Sequence, residues 1–264
     1  MNWVRKHLLA FVAMVTLAIL LIPNVIVIIF SFNKPNGRYN IDWVRFSTDA
    51  WTNPCGAAGI CDSLGLSLRI GITASLVATL LGTMVAFALG RHRFQGRATT
   101  NLLIFMPMAT PEVVLGSSLL ALFLNIGLQT GATAILIAHI MFCVSFVVVA
   151  VKARVATLDP RLEEAAADLG SSPVSTFMRV TLPLAAPGIA AGALLSFSLS
   201  FDDFIITNFN ASPSSVTFPM YVWGAAQRGT PVQINVIGTV MFLASVAIVL
   251  GAQAVSARRA QRVA

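Results

Sequence analysis

The chain has 264 residues, of which 57% are hydrophobic and only 10% charged, with a mean hydropathy of +0.84. Soluble domains carry roughly 25% charged residues, so this composition excludes a soluble enzyme, a disordered chain and a nucleic-acid binder as first readings. The net charge of +7 then reads as membrane topology, because basic residues gather in cytoplasmic loops.

The uncharged runs predict six spans. Leu8 to Phe32 carries no charge and predicts a helix over 8–31. It follows Arg5, Lys6 and His7 as a signal peptide would, but it is too long for one and lacks a small-residue cleavage site, so an uncleaved helix is expected. An outer loop, 33–63, holds Cys55 and Cys61, together with Trp43, Phe46 and Trp51 as interfacial anchors. The six-residue spacing admits a disulfide on an oxidising outer side and equally a reduced pair. The next runs predict helices over 66–89, 102–124, 131–151, 184–206 and 232–255. Spans three and four share one run with a single charge, Glu112, and a turn at Asn125-Ile126-Gly127. About 20 apolar residues cross a bilayer as a helix. A β-barrel would instead alternate apolar and polar residues over strands of about 10. The expected fold is all-α and polytopic, a single transmembrane domain over 1–264.

Placing both termini in the cytoplasm puts Arg5, Lys6, Arg91, Arg93, Arg97, Lys152, Arg154, Arg161, Arg179, Arg258, Arg259 and Arg262 inside. Lys34, Arg38, Arg45, Arg69 and Arg228 then lie outside, and the positive-inside rule selects this orientation.

The longest inside loop, 152–183, predicts a helical hairpin. Asp159-Pro160 and Ser172-Pro173 are each an N-cap followed by proline. Leu162, Ala165, Ala166 and Leu169 form an apolar stripe, Gly170 bends the chain, and Pro183 is expected to close the second helix. So small a hairpin must press its stripe on a neighbour. Read from pattern alone, it is a connector on the membrane surface. However, Glu164-Ala165-Ala166, Gly170 four residues on, and then Val180, Leu182 and Pro183 resemble the E-A-A-x3-G-x9-I-x-L-P loop of ABC importer permeases, with Val180 in the place of Ile. The resemblance implies a coupling element that docks on a cytoplasmic ATPase. In that reading Ala165 and Ala166 allow close approach, Gly170 gives the bend and Glu164 offers a charge. The chain has no G-x-x-x-x-G-K-[ST] and no assembled nucleophile and base. It is therefore read as no enzyme and as carrying no cofactor, with ATP bound by partner subunits.

Acids at membrane depth are functional candidates. On a straight helix Glu112 lies about 16 Å beyond Asn101, near the midplane, behind Pro107 and Pro111. Asp202 and Asp203 fall late in the fifth span, about 27 Å from Leu184. Gly192, Ser196, Ser200 and Asp203 share one face there. Three acids without a facing base favour a cationic substrate along Glu112, Ser200, Asp202 and Asp203. The alternatives are a solvated helix end for the Asp pair and a structural carboxylate for Glu112. His139 and Cys143, one turn apart, are either a metal pair or, better, a hydrogen-bonded His and a packing Cys, so no metal site is assigned.

The stretches GRHRFQGR, PMATPEVVLGSSLLALF, HIMFCVSFVVVAV and SFDDFIITNFNASPSS resemble the spermidine/putrescine branch of these permeases. The similarity runs over nearly the whole chain, and the Cys-bearing insert Asn53 to Asp62 is its main departure. The resemblance implies a bacterial inner-membrane importer of polyamines. Its partners would be a second permease, two ABC ATPase subunits, an extracytoplasmic polyamine-binding protein and lipid, with no nucleic acid. Related permeases carry iron, thiamine or opines. A proton-coupled secondary transporter is the other class, in which the three acids would relay protons.

Overall fold

The computed structural model describes the backbone of residues 2–263 and the side chains of residues 7–251. The side chains of Arg5, Lys6, Arg258, Arg259 and Arg262, used above for topology, lie outside the described ones. Among the described residues the helices are α1 (Asn2–Phe30), α2 (Asp49–Thr52), α3 (Ile60–Arg91), α4 (Arg97–Ala109), α5 (Glu112–Asn125), α6 (Ala132–Ala156), α7 (Arg161–Asp168), α8 (Pro173–Thr176), α9 (Leu182–Asp202), α10 (Ile205–Asn210), α11 (Phe218–Arg228) and α12 (Val232–Val263). Strand pairing among them is limited to one bridge, Asn33 with Phe46. The fold is all-α. Among the described residues five helical stretches are long and apolar enough to cross a membrane, and the bent pair α4 and α5 makes a sixth if it counts as one span.

The chain forms two compact units, Met1–Asp62 with Tyr221–Ala264, and Ser63–Met220. In the first, α1 lies against α12. The loop between α1 and α3 is held by side chains rather than by a sheet. The buried Asn33 amide donates to Asn40 Oδ1 and to the Asp42 carbonyl, each at 2.7 Å, and its oxygen accepts from Val44 N at 2.9 Å. Trp51 stacks on Phe32 at 5.2 Å and packs with Ala50 against Val232 and Val236. It is therefore part of a small core, whereas Phe46 stays exposed. Lys34 pairs with Asp49, and that bond, with the Ser47 hydroxyl, holds the Asp49 carboxyl below its ordinary value. Cys55 and Cys61 form a disulfide with Cα atoms 5.4 Å apart.

In the second unit α6 is the central element. Ala134, Ala138, Cys143, Val147, Val151 and Val155 along it are fully buried, with α9 packed along its length. One end of this unit collects basic side chains on carbonyl and amide oxygens. Lys152 Nζ donates to Asn101 Oδ1 at 2.6 Å, Arg154 Nε to the Leu184 carbonyl at 3.0 Å, and Arg91 to the Leu158 carbonyl at 3.5 Å. At the opposite end Gly131 N donates to the Asn210 carbonyl at 2.8 Å, and Phe218 N to Ser67 Oγ at 2.8 Å.

Three expectations about the helices change. The third span is not straight: α4 and α5 meet at 108°. Pro111 lacks an N–H and forces Thr110 out of the helical region, to φ −82° and ψ 131°. The fifth span stops at Asp202, and a separate short helix, α10, follows. Pro183 ends nothing. The helix that starts at Pro173 passes through a π turn, Phe177–Thr181, straight into α9. A proline is tolerated there because the π turn directly before it already interrupts the regular i→i−4 ladder of hydrogen bonds that a proline cannot join. The amphipathic α11 lies in a stretch for which no helix was expected.

Candidate coupling and transport site

The hairpin forms as its caps dictate. The Asp159 carboxylate accepts from Arg161 N at 3.0 Å at the start of α7, and the Ser172 hydroxyl accepts from Ser175 N at 3.3 Å at the start of α8. Between them Gly170 adopts φ +80°. Ser171 N donates to the Ala166 carbonyl at 3.0 Å and Gly170 N to the Ala167 carbonyl at 2.8 Å, which is a Schellman cap.

One face of the hairpin is tied to its own chain. Glu163 Oε1 pairs with Arg91 Nη2 at 3.1 Å and accepts from the Thr181 hydroxyl at 3.0 Å. A single carboxylate thus links the end of α3, helix α7 and the π turn. These residues, with Phe87, Thr176 and Phe177, line a cleft of about 420 Å³. The other face is left uncovered by the described residues. Leu169 is 90% exposed and Val174 73%, and Leu162 and Met178 are exposed as well. Of the motif residues, Glu164, Ala165, Gly170 and Pro183 are exposed, while Ala166 and Leu182 are half-buried. The predicted stripe is therefore an uncovered face at the basic end of the unit. The neighbouring Glu163, not assigned from the sequence, makes the internal bonds.

The acids separate. Ser200 and Asp203 turn inward to α6, where they meet His139. Ser200 Oγ lies 2.8 Å from His139 Nδ1, and Asp203 Oδ2 lies 3.2 Å from Nε2, with Thr207 Oγ1 3.0 Å from the same nitrogen. Asp203 also caps α10, accepting from Thr207 N at 2.7 Å, Thr207 Oγ1 at 2.8 Å and Ile206 N at 3.3 Å. The His139 and Asp203 side chains are 2% and 5% exposed. This corrects the sequence reading in two respects. Asp203 does face a base, and Ser200 and Asp203 lie in a closed interior rather than along an open path. Gly192 and Ser196, on the same stripe, are buried too. Cys143 Sγ donates to the Ser196 carbonyl at 3.5 Å, so the His139 and Cys143 pair serves packing and hydrogen bonding.

Asp202 and Glu112 remain exposed. Glu112 opens α5, where the break at Pro111 leaves free N–H groups and a helix N-terminus that favours a negative side chain. Its computed rise along a straight helix no longer applies. One turn on, Gly116 brings α5 onto α10: a Cβ there would stand 3.2 Å from Ile206 Cα and 2.8 Å from the Phe209 ring. Glu112 shares the Gly116 face of α5. Both acids thus stand at breaks in spans, where transporters of other folds place substrate and ion sites.

The family model of the binding-protein-dependent transport system inner membrane component matches residues 78–262. The chain belongs to this family. It is 35% identical over 239 residues to the spermidine/putrescine transport system permease protein PotC of Escherichia coli K12, covering 90% of each chain. It is 34% identical over 242 residues to PotC of Haemophilus influenzae, covering 92% of this chain and 93% of that one. Against the putrescine transport system permease protein PotI of Escherichia coli K12 it is 35% identical over 234 residues, covering 86% of this chain and 82% of that one. The fold matches a solved bacterial ABC transporter involved in the import of the acidic polysaccharide alginate, with a TM-score of 0.68 at 16% identity over 97% and 96% of the two chains. As a family member the chain is a multi-pass membrane component of a transport system, not an enzyme.

In this inner membrane component the Arg91–Glu163 pair is expected to hold the hairpin to α3. Glu163→Ala and Arg91→Ala should each lower transport per ATP several-fold, roughly as expected for losing a charge-assisted bond in a half-buried site. The exchange Arg91→Glu with Glu163→Arg should restore much of it. Uptake and ATP hydrolysis measured together in the reconstituted complex would check this, and an exchange no better than the single variants would refute it.

Proposed function

We propose that this chain is the membrane-spanning permease subunit of an ABC importer that moves a polyamine, spermidine or putrescine, inward. The observation that carries the substrate class is the 35% identity with PotC and PotI over 90% and 86% of the chain. Chemistry supports it: the carboxylates left exposed at the breaks, Glu112 and Asp202, suit spaced ammonium groups. A charge in a membrane span that its own chain leaves exposed needs a partner chain or an aqueous path. The path therefore runs between this chain and a second permease.

ATP is hydrolysed by two partner ATPase subunits, which dock on the exposed face of the hairpin around Glu164, Ala165, Ala166 and Gly170. Closure of the ATPases moves α9, because the hairpin continues into α9 without a break. Leu182 and Pro183 sit at that junction. The chain itself carries no cofactor. An extracytoplasmic binding protein delivers the polyamine. Both termini are cytoplasmic, a reading supported by the excess of basic residues in the sequence segments that this orientation puts inside. Radiolabelled spermidine uptake by proteoliposomes holding the complete complex tests the reading. Uptake should require ATP and survive a protonophore. ATP-independent uptake abolished by the protonophore would instead establish a secondary transporter, and uptake of another solute alone would reassign the substrate.

A further inference from the structure

The broken fifth span is held by one imidazole. His139 Nδ1 meets Ser200 in the last turn of α9, and Nε2 meets Asp203 and Thr207 at the start of α10. Asp203 is an acceptor when ionised, so Nε2–H donates to it and the Ser200 hydroxyl donates to Nδ1. The ring is rigid, and the distance between its two nitrogens fixes both helix ends against α6. Successive residues of a helix turn by about 100°, which places Asp202 about 200° around α9 from Ser200. With Ser200 pinned to α6, Asp202 is turned away from it, as its exposure shows.

We propose that His139 is a positioning residue: it sets the rotation of the last turn of α9 and thereby aims the Asp202 carboxylate at the substrate. The inference rests on the reading of Asp202 as a polyamine contact. His139 does not itself touch substrate; it is 1% exposed and its ring nitrogens are engaged within the chain.

The test uses the complete complex in proteoliposomes, with KM and maximal rate measured for spermidine. His139→Gln places an amide near Nε2, so it keeps the bond to Asp203 and releases Ser200, while His139→Asn places one near Nδ1 and keeps the bond to Ser200. His139→Gln should raise KM up to about tenfold, the size of one lost hydrogen bond, with maximal rate retained, and the complex that assembles with His139→Asn should keep most of the affinity. In Asp202→Asn background, His139→Gln should raise KM no further, because a residue that acts only through Asp202 is silent once Asp202 is neutral. Additive effects, or a KM unchanged by His139→Gln, would overturn the proposal. Should His139→Gln fail to assemble, Ser200→Ala frees the same turn and leaves the Asp203 cap intact. It should raise KM in the same Asp202-dependent way, and an unchanged KM there would also overturn it. A wild-type complex that does not carry spermidine would refute the functional reading instead.

Discussion

Gly170→Val is expected to cut ATP-driven uptake about tenfold or more, while Gly170→Asn retains most of it. Gly170 sits at φ +80°, in the left-handed region, and closes the Schellman cap between α7 and α8. An L-residue there costs roughly 1–2 kcal/mol, and a β-branched one more. That is about tenfold in the population of the bent hairpin. Asn tolerates this conformation far better than Val. Space is not the issue, since a Cβ at Gly170 would meet nothing within 4 Å, so the two substitutions separate backbone strain from bulk. The expected defect lies in coupling. The spans bury their side chains elsewhere, so the permease should still reach the membrane and co-purify with its partners. Uptake and ATP hydrolysis measured on the same reconstituted preparation decide the matter, and a Val variant that transports like wild type would remove the bend from the mechanism.

The hairpin was legible in the sequence because its signals are local. Ser172 before Pro173, and Gly170 after an apolar stripe, report cap geometry within one turn. The spans were legible because a bilayer demands long apolar runs. Where they break was not. A proline in a membrane helix bends, breaks or leaves the helix intact according to how neighbours satisfy the freed backbone groups. Pro111 breaks the third span, Pro107 sits inside α4, and Pro183 sits inside a continuous helix. The most informative miss concerns the acids. Asp202 and Asp203 are adjacent and chemically identical, and what tells them apart is the cap that Asp203 alone makes on α10 together with a partner 64 residues away, His139. Two local signals pointed that way: an ionisable residue in the fourth span, and an Asp four residues before a Thr at a helix start. The same holds at the hairpin, where the motif drew attention to Glu164 while its neighbour Glu163 pairs with Arg91.

That separation makes the two aspartates answer differently to the same substitution. Asp202→Asn should raise the KM for spermidine by about tenfold to a hundredfold, as expected for loss of a bond worth roughly 1.5–3 kcal/mol to a charged group, with the amount of assembled complex unchanged. Exposed and without a described bond, Asp202 contributes nothing to the fold that Asn would remove. Asp203→Asn should act first on the protein: it weakens the cap of α10 and the link to His139 inside a buried network, where a half-satisfied polar group is costly. Less folded complex, and a lower thermal midpoint in detergent, are expected before any change in affinity. If both carboxylates lined the path as a pair, both variants would instead raise KM in a normally assembled complex. A purification yield, a melting curve and a spermidine titration on each variant therefore distinguish a pair of substrate ligands from one ligand beside one structural clamp. Asp202→Glu supplies the control on charge, because it keeps the carboxylate at a shifted position and should lose far less affinity than Asn if attraction to an ammonium group is what Asp202 provides.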